Sequence, residues 1–302
     1  MSLFCGLVKI KENAEIAPGI YRMMMECPEV AECAVPGQFI HIRCSDTHSP
    51  LLRRPISIAM ADKSAGLIEI FYRVVGEGTG LLARKEKQDM LDIMGPLGRG
   101  FPLQPGLKLP IIVGGGIGMA PLLFLAKSLK ENATSSDYCC RESFTGLAFA
   151  GFATEMEAFG MSFLEDCGFK VHICTDDGSM GYKGYPTDLL EKYLGGSIFL
   201  SSISTGEIAG AAGAPGCPAT EAAMLPSAVY ACGPEALLKK VKEIVSRAKV
   251  PAYLSLEQRM ACGVGACLGC AVKSAGSGYL KVCKDGPVFE VNQVILSQET
   301  AP

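Results

Sequence analysis

Short runs in which apolar and polar positions alternate dominate the first hundred residues. Phe39–Arg43 (FIHIR), Ile56–Met60 (ISIAM) and Leu67–Val75 (LIEIFYRVV) are rich in Ile, Val, Phe and Tyr. Turn signals bound them at Pro36-Gly37, Ser49-Pro50, Gly76 to Gly80 and Gly95-Pro96. Many short strands broken by Gly and Pro predict a small antiparallel β-barrel over residues 1–103.

The pattern changes at Pro110. A short apolar run, Ile111–Val113, leads into a glycine cluster and then a helical stretch, Pro121–Lys130. Strands are expected at Leu147–Phe152, Lys170–Cys174 and Ala228–Cys232, with helices at Thr187–Tyr193 and Glu235–Ala248. Strand alternating with helix predicts a doubly wound parallel sheet over 104–250. Asn132–Gly146 and Ser201–Ser227 lack either period and read as surface-loop insertions. A third unit, 251–302, opens on a short apolar strand, continues into a cysteine cluster and ends in VFEVNQVIL with its short tail. The expected fold is thus α+β and multidomain: barrel, parallel-sheet domain, then a small C-terminal domain.

With 302 residues, the chain is long enough for more than one core. A net charge of −3 without a basic stripe removes the electrostatic case for nucleic acid. No apolar run reaches the ~18 residues of a membrane span. The opening residues lack the charged start and apolar run of a signal peptide, so a cytoplasmic location is expected. Fourteen cysteines are many for that compartment. Ten are scattered without a repeating spacing and read as small buried hydrophobes.

Four are not scattered. Cys262, Cys267 and Cys270 follow the spacing C-x4-C-x2-C, Cys283 comes after twelve more residues, and glycines are interleaved. A [2Fe-2S] cluster needs four thiolates converging on two irons, and this is the plant-type ferredoxin spacing. Glycines let such a loop reach positive φ and turn backbone N–H groups towards sulfur. Structural zinc is the competing reading, but zinc loops usually carry C-x2-C on both sides, and only one such pair is present.

Several further stretches suggest nucleotide chemistry. In Leu51-Leu-Arg-Arg-Pro-Ile-Ser57, an arginine at the edge of a strand suits a pyrophosphate. Phe71-Tyr-Arg73 and Gly76-Glu-Gly-Thr-Gly80 add an aromatic strand and a glycine turn. Beyond Val113, Gly114-Gly-Gly-Ile-Gly-Met-Ala-Pro121 reads as a strand, a glycine turn and a helix start, which together make an anion pocket. It departs from G-x-G-x-x-G by ending in Pro121. Cys232-Gly-Pro234 closes another strand; its cysteine either faces a nicotinamide ring or is simply buried, and the residues leave both open. In Cys174-Thr-Asp-Asp-Gly-Ser179, the two carboxylates favour NAD over NADP.

Taken together these motifs resemble the ferredoxin–NADP reductase superfamily, and within it the electron-transfer subunits of bacterial NAD-dependent (class 1B) dihydroorotate dehydrogenases. The resemblance spans nearly the whole chain, from Pro36-Gly-Gln-Phe39 through Gly95-Pro-Leu-Gly98 to Ser255-Leu-Glu-Gln-Arg-Met-Ala-Cys262 and Val282-Cys-Lys-Asp-Gly-Pro-Val-Phe289. It implies FAD on Arg54, Pro55, Ile56, Ser57, Phe71, Tyr72, Arg73, Gly78 and Thr79. It implies NAD on Gly114, Gly115, Gly116, Gly118, Pro121, Cys232, Gly233 and Pro234, and a [2Fe-2S] cluster on the four cysteines. Ser57 would serve the reactive flavin nitrogen and Cys232 the nicotinamide. The implied partner is an FMN-containing catalytic subunit, in a heterotetramer of two of each chain. Electrons would run from dihydroorotate through FMN, cluster and FAD to NAD⁺. Two alternatives remain: a related reductase subunit serving a ferredoxin- or sulfur-reducing complex, and a redox-silent regulatory module holding zinc.

Overall fold

The computed structural model describes residues 3–45, 47, 49–104, 107, 109–135, 144–196 and 226–296. The insertion expected at 201–227 therefore lies, up to residue 225, outside the described residues, as does 136–143 of the other.

Six strands form the N-terminal unit: β1 (Phe4–Ala17), β2 (Ile20–Glu26), β3 (Phe39–Arg43), β4 (Arg54–Asp62), β5 (Leu67–Arg73) and β6 (Met90–Leu97). They close antiparallel into a barrel in the order β1-β2-β5-β4-β3-β6. Closure leaves no open edge. Alternate residues point inward, so Ile40 and Ile42 of β3 and Ile68 and Ile70 of β5 fill the interior. Phe39, the next outward position, instead joins the core that runs under the C-terminal residues.

Two helices accompany the barrel, α1 (Pro28–Cys33) and α2 (Glu77–Ala83). The stretch expected as a glycine turn at 76–80 is in fact the start of α2. Thr79 explains this: its Oγ1 accepts the N–H groups of Val75 (3.0 Å) and Gly76 (3.4 Å) and donates to Gly76 O (3.2 Å), tying off the first turn.

The second unit alternates β7 (Pro110–Gly115), α3 (Met119–Ser135), β8 (Gly146–Phe152), α4 (Met161–Asp166), β9 (Phe169–Thr175), β10 (Tyr182–Lys183), α5 (Pro186–Leu194), β11 (Ala228–Cys232) and α6 (Glu235–Ala248). β7, β8 and β11 are buried at every position because both sheet faces are covered. On β7, Ile111 and Val113 pack into one core and Ile112 into the other. α3 begins at Met119 and runs to Ser135, longer at both ends than its apolar period indicated, so the first residues of the 132–146 stretch are helical.

The C-terminal residues contribute β12 (Ala252–Ser255), β13 (Ala271–Ser274), β14 (Tyr279–Lys281), β15 (Val288–Glu290) and β16 (Val294–Ile295). β12 pairs parallel to β11, and β15 pairs antiparallel to β12, completing a seven-stranded sheet β10-β9-β8-β7-β11-β12-β15. That sheet takes strands from both sides of residue 250. Only β14-β13-β16 forms a separate small sheet. No helix among the described residues is long and apolar enough to cross a membrane.

Candidate functional site

The flavin-side cavity holds about 820 Å³ and lies between the barrel and the loops after β7 and β12. Arg54, Pro55, Ile56, Ser57, Phe71, Tyr72, Arg73 and Thr79 all line it. Their common wall follows from register, because β4 and β5 are neighbours in the barrel. The two adjacent arginines part company. Arg53 grips the Asp92 carboxylate with two bonds (2.8 and 2.7 Å) and also donates to Asp92 O (3.0 Å) and His41 O (3.3 Å), so it ties β3 to β6. Arg54 donates to Leu52 O at 2.5 Å, within its own loop, and lies along Gly78. A Cβ on Gly78 would stand 2.9 Å from Arg54 Nε, so the glycine keeps that guanidinium in place beside the cavity. Tyr72 contributes wall rather than a free hydroxyl: its OH donates to Asn13 Oδ1 (2.9 Å), its ring stacks on Tyr21, and burial pushes its pKa up.

A second cavity of about 700 Å³ opens at the carboxyl ends of the parallel strands. In a doubly wound sheet this is where nucleotides bind. Gly115, Gly116, Gly118, Gly233 and Pro234 line it. A Cβ on Gly118 would lie 2.6 Å from Cys232 O and 2.7 Å from Gly233 Cα, so only glycine lets the two strand-end loops touch. The other sequence-picked residues fall elsewhere. Gly114 packs against Met119, Pro121 lines the flavin-side cavity, and Cys232 is buried and lines neither. Burial pushes the Cys232 thiol up to about 12, the Glu257 charge adds to this, and a hydrogen bond with Ser255 offsets part of it. Of the two loop carboxylates, Asp176 lines this cavity; Asp177 accepts from Ser179 N (2.9 Å) and Oγ (2.6 Å) and so serves the turn.

Sequence reasoning picked Arg73 but missed Ile117 and Glu257, the other two residues that join the two cavities. Arg73, Ile117 and Glu257 line both. Arg73 pairs with Glu157 at 2.6 Å, linking β5 to the short helical turn Glu155–Glu157. Glu257 lines both cavities and is exposed in the seam between them, and desolvation by the protein crowding around it raises its carboxyl pKa. Its only sequence signal was a place two residues after a strand; what matters is the seam it occupies.

The cysteine loop lies on the outer barrel wall. Cys262 Sγ accepts the N–H groups of Ala266 (3.3 Å) and Cys267 (3.4 Å), Cys267 Sγ accepts from Gly269 (3.4 Å), Cys283 Sγ accepts from Gly265 (3.1 Å), and Cys270 Sγ accepts from Cys283 (3.4 Å). Positive φ at Gly263 (70°), Gly265 (80°) and Leu268 (62°) turns those donors inward. The four thiols lie near enough to act on one another, Cys267 on Cys262 and both Cys270 and Cys262 on Cys283. Cys270 and Cys283 are buried, whereas Cys267 is exposed. Burial raises the Cys262 thiol, but the N–H groups of Cys267, Val264 and Ala266 outweigh it and bring the pKa to about 6. Cys283 is pushed up to about 12 by burial and by Cys270. Among the described residues no three His, Cys, Asp or Glu side chains converge to hold one metal ion. Four neighbouring thiols with backbone donors to sulfur fit an iron–sulfur cluster.

A barrel and a parallel nucleotide sheet meeting at one seam define an oxidoreductase of the ferredoxin reductase fold. The solved NADH-dependent reduced ferredoxin–NADP oxidoreductase matches with a TM-score of 0.76 at 26% identity, covering 96% of this chain and 90% of that one. The ferredoxin–NADP⁺ reductase of Plasmodium falciparum shares the fold at a TM-score of 0.57 and 13% identity, over 81% of this chain and 91% of that one. Residues 257–295 match the iron-sulfur cluster binding domain of dihydroorotate dehydrogenase B. The chain is 38% identical over 285 residues to the dihydroorotate dehydrogenase B (NAD(+)) electron transfer subunit of Desulforamulus reducens, covering 93% of this chain and 94% of that protein. The Bacillus velezensis subunit is 36% identical over 293 residues, covering 95% and 97%. This chain belongs to the family of dihydroorotate dehydrogenase B electron transfer subunits.

Proposed function

We propose that the chain carries electrons between an FMN-containing, dihydroorotate-oxidising subunit and NAD⁺, using FAD and a [2Fe-2S] cluster of its own. The observation that carries this reading is the stacking order at the seam: nucleotide cavity, flavin-side cavity and cysteine loop adjoin, with Glu257 five residues before Cys262. FAD exchanges a hydride with nicotinamide and single electrons with an iron–sulfur centre, so the pair joins two-electron to one-electron chemistry.

The residues divide that work. Arg54 and Gly78 offer a charged, close-fitting cradle for a pyrophosphate, and Pro55, Ile56, Phe71 and Tyr72 form the walls for a flat ring system. Ser57 supplies a hydroxyl at strand level, and Thr79 fixes the loop beside them. Gly115, Gly116, Gly118, Gly233 and Pro234 let a dinucleotide approach the strand ends closely, and Asp176 favours NAD over a 2′-phosphate. Gly114, Pro121 and Cys232 shape the same loops from behind; Cys232 acts by holding the strand end beneath the nicotinamide. Glu257, its carboxyl pKa raised, places a titratable group where the two cavities meet. Cys262, Cys267, Cys270 and Cys283 would hold the irons.

In domain terms, 1–103 carries flavin, 104–250 nicotinamide dinucleotide and 251–302 the cluster, with two copies of each chain in a cytoplasmic heterotetramer. Purifying the native complex tests the whole reading. Iron, FAD and FMN should be bound, and NADH added without oxygen should bleach the flavin absorbance. Zinc in place of iron, or flavin that NADH leaves oxidised, refutes it.

A further inference from the structure

One buried polar group beside the cysteine loop has no partner. His41 on β3 is fully buried, and neither ring nitrogen has a hydrogen-bond partner. Such a group costs ~1–3 kcal/mol unless something satisfies it. Burial, with the Arg53 charge adding, lowers its pKa to about 4, so the ring is neutral and carries one N–H.

Its position says what it serves. On β3, Ile40 and Ile42 point into the barrel, so His41 stands on the outer wall, where the cysteine loop packs. A Cβ on Gly263, the residue after Cys262, would lie 2.7 Å from His41 Nδ1 and 3.2 Å from Met94 Cε. Glycine at 263 is therefore what lets the loop rest on the imidazole. Along the sheet, His41 of β3 pairs in register with Pro55 of the neighbouring β4, which carries Arg54 and Ser57. Arg53 anchors its carbonyl at 3.3 Å. One residue thus spans from the cysteine loop to the strand that carries Arg54 and Ser57.

We infer that His41 is a positioning residue for the iron–sulfur centre, donating its imidazole N–H across the seam to a sulfur of that centre and so raising its reduction potential. Every other donor to sulfur in this loop is a backbone N–H of the loop itself; His41 adds one from the barrel. The electrostatic logic is general: a donor to sulfur favours the more negative, reduced state. The inference rests on the cluster reading above.

Pulsed EPR on the reduced complex, prepared with nitrogen-15 histidine, separates the two. An imidazole nitrogen coupled to the cluster spin is expected, and it should vanish in His41→Leu. A redox titration followed by EPR should show that variant about tenfold harder to reduce, a shift of ~59 mV for one electron. His41→Gln, which keeps an N–H, should recover most of it. A cluster signal with no histidine coupling, and a potential unchanged in His41→Leu, overturns the inference and assigns the ring to a buried water. No cluster signal at all overturns the cluster reading with it. If His41→Leu does not fold, the wild-type spectrum decides alone.

Discussion

At the scale of single residues, the seam is governed by groups whose chemistry depends on where the fold puts them. Glu257 is the clearest case. Though exposed in the seam, its carboxyl is desolvated by the protein around it and its pKa is raised, so the proton stays on to higher pH than on a free glutamate. The folded chain then binds a proton that the unfolded chain has released, and stability falls as pH rises from the usual glutamate range (~4.3) through the raised value. Glu257→Gln removes that dependence. Thermal unfolding across this window should show wild type losing ground to the variant as pH rises, with equal slopes counting against a raised Glu257 pKa. Flavin reduction by NADH should be slower in the variant, and its pH profile should lose the same limb. None of this was readable from the chain, because a glutamate two residues past a strand has no distinguishing pattern. The cysteines did have one: their spacing and glycines announced the loop, though not that Cys270 and Cys283 are buried while Cys267 is exposed.

At the scale of elements, the strand ends matter more than the strands. β7 and β11 lie side by side, Val113 opposite Ala231 and Gly114 opposite Cys232, and their following loops touch through Gly118. Gly118→Ala would force a Cβ against Cys232 O and Gly233 Cα, which are backbone atoms that cannot swing aside. Overpacking of this kind costs ~1–3 kcal/mol. The affinity for NADH should fall roughly tenfold, since 1.4 kcal/mol is about one decade, while FAD content is unchanged. Equilibrium titration of the complex checks this, and unaltered NADH binding would mean that the loops need not touch. The helix Glu235–Ala248 matched its apolar period to the residue, because one face is buried and the other wet. β1 was invisible for the opposite reason. It runs fourteen residues, wets most of them, and slips register between Ile10 and Glu12 and between Glu15 and Ala17, so no period of two survives.

At the scale of the molecule, one apolar core runs from Phe39 and Leu97 on the barrel, past Cys270 and Cys283, to Val113 and Leu254 of the sheet. The three units share it, so electrons cross packed protein rather than solvent. Chelating the iron from the complex should leave NADH able to bleach the flavin while abolishing transfer between flavin and the dihydroorotate-oxidising partner. Stopped-flow absorbance checks this, and transfer that survives iron removal would mean that the cysteine loop is not on the route. The sheet also bears on how the protein comes to hold its iron. β12 and β15 pair with one another at the two ends of the cysteine segment, Leu254 opposite Phe289, and Arg99 N donates to Gly286 O at 2.5 Å where that segment returns to the barrel. Both ends of the segment are thus stitched into hydrophobic structure that owes nothing to metal. Loading can accordingly be the last act of biogenesis, performed on a chain already shaped to receive it, and a cell short of iron would accumulate a folded, empty-handed subunit instead of an aggregate.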